Sequence, residues 1–311
     1  MRNRLICLSL AAAWSSLAAD STDWILHLGG KVERDAAGQV VAVNLRGSWI
    51  NDVEMIGLAR LPRLERLDLS HTRISDEGLL QLKTAPRIAD LSLYYSEWIT
   101  DQGLTAIRNW KHLRRLNVRG TRISNGTLEI VSRLTGLESL DIANTQITDN
   151  GMDYLITLTN LKELSLGRGR LSDNALEVLR MLPTLTYLDL SGARPQPPDQ
   201  ARRQGRSGAM PESVVQAIAE LRDLRVLKLG HSNISVDGLK ILRGLERIHK
   251  LGLEGCTRIE DDAAAELASW KSLKYLDLQD TRVTEKGLEA LRQANPGLMI
   301  LFHPPAAGKT S

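Results

Sequence analysis

The sequence predicts an α/β solenoid, a stack of parallel strands backed by short helices. The first observation behind this is an apolar pattern that returns about every 24 residues from near Val40 to near the C-terminus. LERLDLSHTRISDEGL (64–79), LESLDIANTQITDNGM (137–152) and LKYLDLQDTRVTEKGL (273–288) are three copies. A fixed period in this range marks units that bury their apolar faces only against their neighbours. The second is a change of periodicity inside each copy, from alternation to helical spacing, so that each chain pass returns through a helix and the strands lie parallel. The third is that aromatics are scarce, with one Phe at Phe302, and leucine carries the core.

Residues 1–19 read as a signal peptide. Arg2 and Arg4 form a positive start, Leu5 to Trp14 a short apolar run, and Ser16, Ala18 and Ala19 a cleavage site. The run is too short to span a bilayer, and export to a periplasmic or extracellular location follows. Removing Arg2 and Arg4 takes Lys plus Arg from 40 to 38 against 37 acidic residues, a mature balance of +1. Such a chain has no global field for a polyanion, which argues against nucleic acid. Cys7 leaves with the leader, so Cys256 remains alone and no internal disulfide can form.

Residues 20–39 read as an N-terminal cap, with a short helix over Ser21 to Leu28. A hairpin over Lys31 to Val43, turning near Asp35 and Gly38, follows it. The repeat domain spans 40–303. Its strands begin near Val40, Leu64, Ile88, Leu113, Leu137, Leu161, Leu185, Leu224, Ile248 and Leu273, and 298–303 forms a closing strand. Counting from each first apolar residue, positions 1, 4 and 6 face the core. Position 9 carries Thr72, Ser96, Thr121, Thr145, Ser232, Cys256 and Thr281, small hydroxyls suited to satisfying backbone groups where the chain leaves the strand. Cys256 reads as a buried replacement for Thr, with a reactive thiol as the alternative. Ser75-Asp76, Thr100-Asp101, Thr148-Asp149 and Ser172-Asp173 read as helix N-caps. Trp110 and Trp270 fill late-helix core positions. The seventh unit carries a basic Pro/Gly insertion over 194–211, with Arg194, Arg202, Arg203 and Arg206 against Asp199. Residues 304–311 read as a disordered tail.

The repeated T-x-I-T/S-D-x-G-L stretch resembles leucine-rich repeats of the cysteine-containing, ribonuclease-inhibitor-like kind. It is similar to that of F-box leucine-rich-repeat proteins, without the F-box, and of secreted bacterial repeat proteins. The resemblance covers about ten units. It implies a horseshoe with a concave parallel sheet and convex helices, and protein recognition as its role. Gly169 and Ala193 interrupt the Thr ladder, and Ala175 replaces the glycine near a helix start.

Several residue sets are candidates for function. Position 5 carries Asp68, Asp141, Asp189 and Asp277, but Asp141 and Asp189 lie two strands, roughly 10 Å, apart. That is too far to share a metal, and no third group accompanies them, so no enzyme activity, cofactor or metal is expected. Tyr94, Tyr95 and Arg119 are the expected centre of a protein-binding patch, with Arg66, His71, Arg115, Arg168 and Tyr187 around it; the alternative is an idle solvated face. A position-10 stripe (Arg73, Arg122, Arg170, Arg194, Arg258, Arg282) and the basic insertion would suit an acidic glycan or envelope surface. The blander reading is that helix-start acids such as Asp76 and Asp173 neutralise the stripe, and that the insertion is a tolerated loop. The expected molecule is an exported, monomeric, non-enzymatic scaffold that binds a partner protein over its concave sheet.

Overall fold

The computed structural model of the protein describes residues 22–85, 87–169, 171–192 and 210–304. The expected leader, Arg170, the insertion arginines Arg194, Arg202, Arg203 and Arg206, and the tail beyond Pro304 lie outside them. Twelve strands form one sheet in chain order. They are β1 Lys31–Arg34, β2 Val40–Asn44, β3 Arg66–Asp68, β4 Asp90–Ser92, β5 Arg115–Asn117, β6 Ser139–Asp141, β7 Glu163–Ser165, β8 Tyr187–Asp189, β9 Val226–Lys228, β10 Lys250–Gly252, β11 Tyr275–Asp277 and β12 Met299–Leu301. β1 pairs antiparallel with β2, closing a hairpin in which Asp35 Oδ1 accepts from the Ala37 and Gln39 amides. From β2 onward every pairing is parallel. Short helices and 3-10 turns return the chain; Asp76–Leu80, for example, runs on into Gln81–Thr84. Strands sit about 4.8 Å apart while packed helices need about 8–10 Å, so the sheet takes the inside of the curve.

The core is one unbroken apolar spine. Val43, Leu67, Leu91, Leu116, Leu140 and Leu164 lie side by side in register, and Leu188, Leu227, Leu251 and Leu276 continue the column. All are at most 2 % exposed. Truncating such a leucine to alanine costs about 2–5 kcal/mol. Trp110 and Trp270 are buried in the same spine, and each indole N–H lacks a hydrogen-bond partner. They therefore act as apolar filler.

Two hydrogen-bond ladders set the pitch between units. On the sheet side, position 8 is left-handed in every unit: Gly47, His71, Tyr95, Gly120, Asn144, Arg168, Gly192, His231, Gly255 and Asp280 have φ between 53° and 72°. Each position-8 amide donates to the position-7 carbonyl of the next unit, as Tyr95 does to Arg119 at 2.8 Å and Arg168 to Ser191 at 3.0 Å. On the helix side, the Asp of one unit accepts from the Ser or Thr at the next helix start. Asp76 takes the Thr100 amide at 2.8 Å and hydroxyl at 2.5 Å, and Asp101 takes both donors of Ser124 and both of Thr127.

This second ladder revises the reading of the Ser/Thr-Asp pairs as simple N-caps. The Ser75, Thr100 and Ser172 side chains do accept from their own helices, whereas those of Ser124, Thr148 and Thr284 do not. It also explains the motif glycine: a Cβ on Gly103 would lie 2.4 Å from Asp76 Oδ1. The Asp needs that space to reach the next unit.

Among the described residues, the ladder breaks off at Asp173 and resumes only where Asp261 accepts from Thr284. Asp173 Oδ1 is buried without a partner, because the next helix, Glu212–Ala219, begins after Pro211. Proline has neither an amide hydrogen nor a hydroxyl to offer. Burial and the nearby Asp149 charge push the Asp173 carboxyl above its ordinary range. Among the described residues, no helix is long and apolar enough to cross a membrane.

Candidate functional site

The position-5 side chains serve the backbone. Asp68, Asn117, Asp141, Asp189 and Asp277 each accept from the amide two residues on, at 2.8–3.1 Å. They hold the turn that brings position 8 into its left-handed conformation. Burial raises the Asp141 carboxyl, but its Oδ1 is engaged in this turn. Cys256 is fully buried and donates to the Leu229 carbonyl of the preceding unit at 3.1 Å, as the Ser96 hydroxyl does to Leu69 at 2.8 Å. Burial pushes its thiol up to about 11, so the thiolate needed for reactivity is scarce near neutral pH.

The expected patch divides. His71, Tyr94 and Tyr95 form one ring cluster. Tyr94 and Tyr95 meet edge to face at 4.7 Å, His71 stacks on Tyr95 at 5.7 Å, and His71 meets Tyr94 edge-on at 5.1 Å. Arg46 lies over the outer Tyr94 ring at 5.4 Å. The Tyr95 ring covers Gly120, where a Cβ would stand 2.8 Å from it, and its hydroxyl reaches Asn144 Nδ2 at 3.5 Å. Arg119 stands in the next unit, 4.0 Å from Asp141, with a buried Nε that has no partner.

The remaining expected residues are elsewhere or engaged. Arg66 is held by Glu33 at 2.6 Å, and Arg115 by Glu163 at 2.9 Å with Asp90 at 3.8 Å. Arg168 lies across Gly192, three units beyond Tyr95. Tyr187 belongs to β8, where Lys228 sits over its ring at 5.4 Å.

The rim past the strand exits holds what the sequence reading missed. Trp49 and Trp98 are 77 % and 61 % exposed, among the most open large apolar side chains described. They occupy the row that holds Arg73 and Arg122 in the alternate units. The neutralised reading of this stripe does not hold there. Asp76, an acid that was to neutralise it, is taken up by the next unit's helix start, as is Asp101. Arg73 instead lies over the Trp49 ring at 5.4 Å. Further along, Arg282 does pair, with Glu260 at 3.5 Å. The signal was present in the sequence: Trp49 and Trp98 directly precede the buried Ile50 and Ile99, as the arginines precede Ile74 and Ile123. Of the 194–211 insertion only Met210 and Pro211 are described, the Met210 amide donating to the Asn233 carbonyl at 3.0 Å; Arg194, Arg202, Arg203 and Arg206 lie outside the described residues.

Comparison with known proteins places this geometry. The leucine-rich-repeat family model matches residues 61–82, 134–155 and 271–291. No curated protein sequence matches the chain. Among solved structures, an internalin (InlF) of Listeria monocytogenes is similar at 18 % identity and a TM-score of 0.55, covering 86 % of this chain and 84 % of that one. Internalin C2 of the same organism is similar at 23 % identity and a TM-score of 0.52, over 69 % and 80 %. The leucine-rich-repeat ectodomain of the Arabidopsis receptor kinase HAESA, solved with an N-terminally extended IDA peptide hormone, is similar at 18 % identity and a TM-score of 0.55. That match covers 88 % of this chain and 44 % of the ectodomain. At these identities the likeness speaks to fold. With the in-register leucine column and the three matched repeats, it establishes that the chain folds as an α/β leucine-rich-repeat solenoid.

Proposed function

We propose that the protein is an exported, non-enzymatic scaffold that recognises a partner protein on its concave sheet, centred on His71, Tyr94, Tyr95 and Arg119. The observation that carries this is the ring cluster. His71 and Tyr95 hold left-handed backbone where four other units place glycine, and each non-glycine residue there costs roughly 1 kcal/mol. Strain of this kind persists where a side chain is kept for its contacts. Tyr and Arg are also the side chains that dominate binding energy at protein interfaces, and a preformed sheet loses little entropy on binding. The same fold carries a peptide hormone in the HAESA ectodomain. The export reading is supported by the residue pattern of 1–19.

The test is capture of the native partner by mild crosslinking of the exported protein, comparing wild type with a Tyr94→Ala/Tyr95→Ala/Arg119→Ala variant of unchanged circular dichroism. Capture should fall with the three side chains. Undiminished capture would reject the reading.

A further inference from the structure

The strand-exit rim carries an alternation that the sheet-face reading does not use. Trp49, Arg73, Trp98 and Arg122 come from four successive units, each just before a buried isoleucine, and all four are exposed. The backbones of the last two run side by side: the Arg122 amide donates to the Ile99 carbonyl at 2.9 Å, directly after Trp98. No carboxylate lies within ion-pair reach of Arg73 or Arg122 among the described residues, and Arg73 lies over the Trp49 indole. Arg46, on the same side, lies over Tyr94. The rim therefore offers indole faces and unneutralised guanidiniums in turn.

Units repeat at about 4.8 Å, so the two indoles stand roughly 10 Å apart. One turn of a polyproline II helix is three residues at about 3.1 Å each, or about 9.3 Å. Such a segment can set an apolar residue against each indole and a carboxylate against each arginine. We propose that this rim binds an extended, acidic, proline-containing segment of the partner protein in polyproline II conformation. The proposal rests on the reading of the molecule as a protein-binding scaffold and names the chemistry of its partner.

Charge decides among occupants. The chain's own 194–211 insertion is proline-rich but carries Arg194, Arg202, Arg203 and Arg206 against Asp199, and the rim arginines repel it. An acidic polysaccharide is served by dense cation rows, whereas here the indoles space the guanidiniums roughly 10 Å apart.

The experiment uses the mature protein and a fluorescently labelled peptide of repeated Pro-Leu-Glu triplets, read by anisotropy. Saturable binding is expected. It should weaken by at least about tenfold in Trp49→Ala/Trp98→Ala and in Arg73→Gln/Arg122→Gln, both with unchanged melting temperature because the side chains are exposed. The Pro-Leu-Lys counterpart should not bind. Absence of binding, indifference to both double variants, or equal binding of the lysine peptide overturns the proposal. So does heparin binding with the same residue dependence where the peptide fails, which would assign the rim to acidic polysaccharide. Partner capture separates this from the scaffold reading. Capture that survives both rim variants but is lost on removing Tyr94, Tyr95 and Arg119 leaves the scaffold standing and the rim proposal refuted.

Discussion

Replacing Asp101 by alanine removes the densest rung of the helix-side ladder. The wild-type carboxylate accepts from the Ser124 amide at 2.8 Å and hydroxyl, and from the Thr127 amide at 3.0 Å and hydroxyl at 2.5 Å. Ser124 is half-buried and can turn to water, while Thr127 is fully buried. Its amide keeps a second acceptor in the Ser124 carbonyl at 3.1 Å, but its hydroxyl is stranded. A stranded buried donor costs about 1–3 kcal/mol, and each lost charge-assisted bond that water replaces costs less. The expected loss is about 2–4 kcal/mol in urea unfolding at neutral pH. Asp101→Asn keeps an acceptor oxygen, as Asn125 does for the Thr148 amide, and should lose about half as much. Burial raises the Asp101 carboxyl, but the four donors outweigh it and the net shift is downward. A depressed carboxylate contributes stability above its unfolded value of about 3.9 and loses it as pH falls through the folded value. The gap between wild type and Asp101→Ala should therefore hold at pH 6–7 and close below about pH 4. A loss under about 1 kcal/mol at neutral pH, or a gap indifferent to acid, refutes the ladder as a stabilising device.

Pro211→Ser supplies the missing donors to Asp173. The expected gain is about 1 kcal/mol in thermal unfolding, with a fall in the Asp173 carboxyl titration followed by NMR; no change in either would mean the orphaned oxygen is solvated. Gly120→Ala places a Cβ 2.8 Å from the Tyr95 ring at φ +72°. It should cost about 1–2 kcal/mol and weaken partner capture by displacing Tyr95, so a neutral variant contradicts the packing. The Cys256 thiol should resist a thiol reagent until the protein unfolds. Its raised folded value of about 11 means its contribution is complete below the unfolded value of about 8.5 and is lost as pH rises toward 11. Cys256→Thr should remove that alkaline loss, measured by unfolding at pH 7 and pH 10.

Much of the fold was legible because the leucine column has a period. Leu64, Leu67 and Leu69 recur at fixed offsets, and only one stacking buries them all. The ring cluster was partly legible: His71, Tyr94 and Tyr95 fell on one stretch of the sheet. Their mutual packing depends on the left-handed turn at position 8. Gly47, Gly120, Gly192 and Gly255, with Asn144 and Asp280, do signal that turn. The bulky Tyr95 and Arg168 hide it, since neither favours positive φ. The rim was misread for a physical reason. Sequence adjacency of Arg73 and Asp76 suggested a local ion pair, but Asp76 belongs to the following unit's helix start. Trp49 and Trp98 escaped notice because an apolar residue in a leucine array reads as core.

Interruption of the helix-side ladder also concerns mechanics. From Asp173 until Asp261 meets Thr284, no carboxylate rung joins one helix start to the next among the described residues, whereas strand pairing continues without a break. There the convex side is held by helix packing, with Val215, Ile218, Leu239 and Leu267 fully buried, about an unbroken inner seam. Relative movement of these units is therefore resisted on the convex side by apolar contact and by ion pairs such as Arg243–Glu266, not by directed bonds between helix starts.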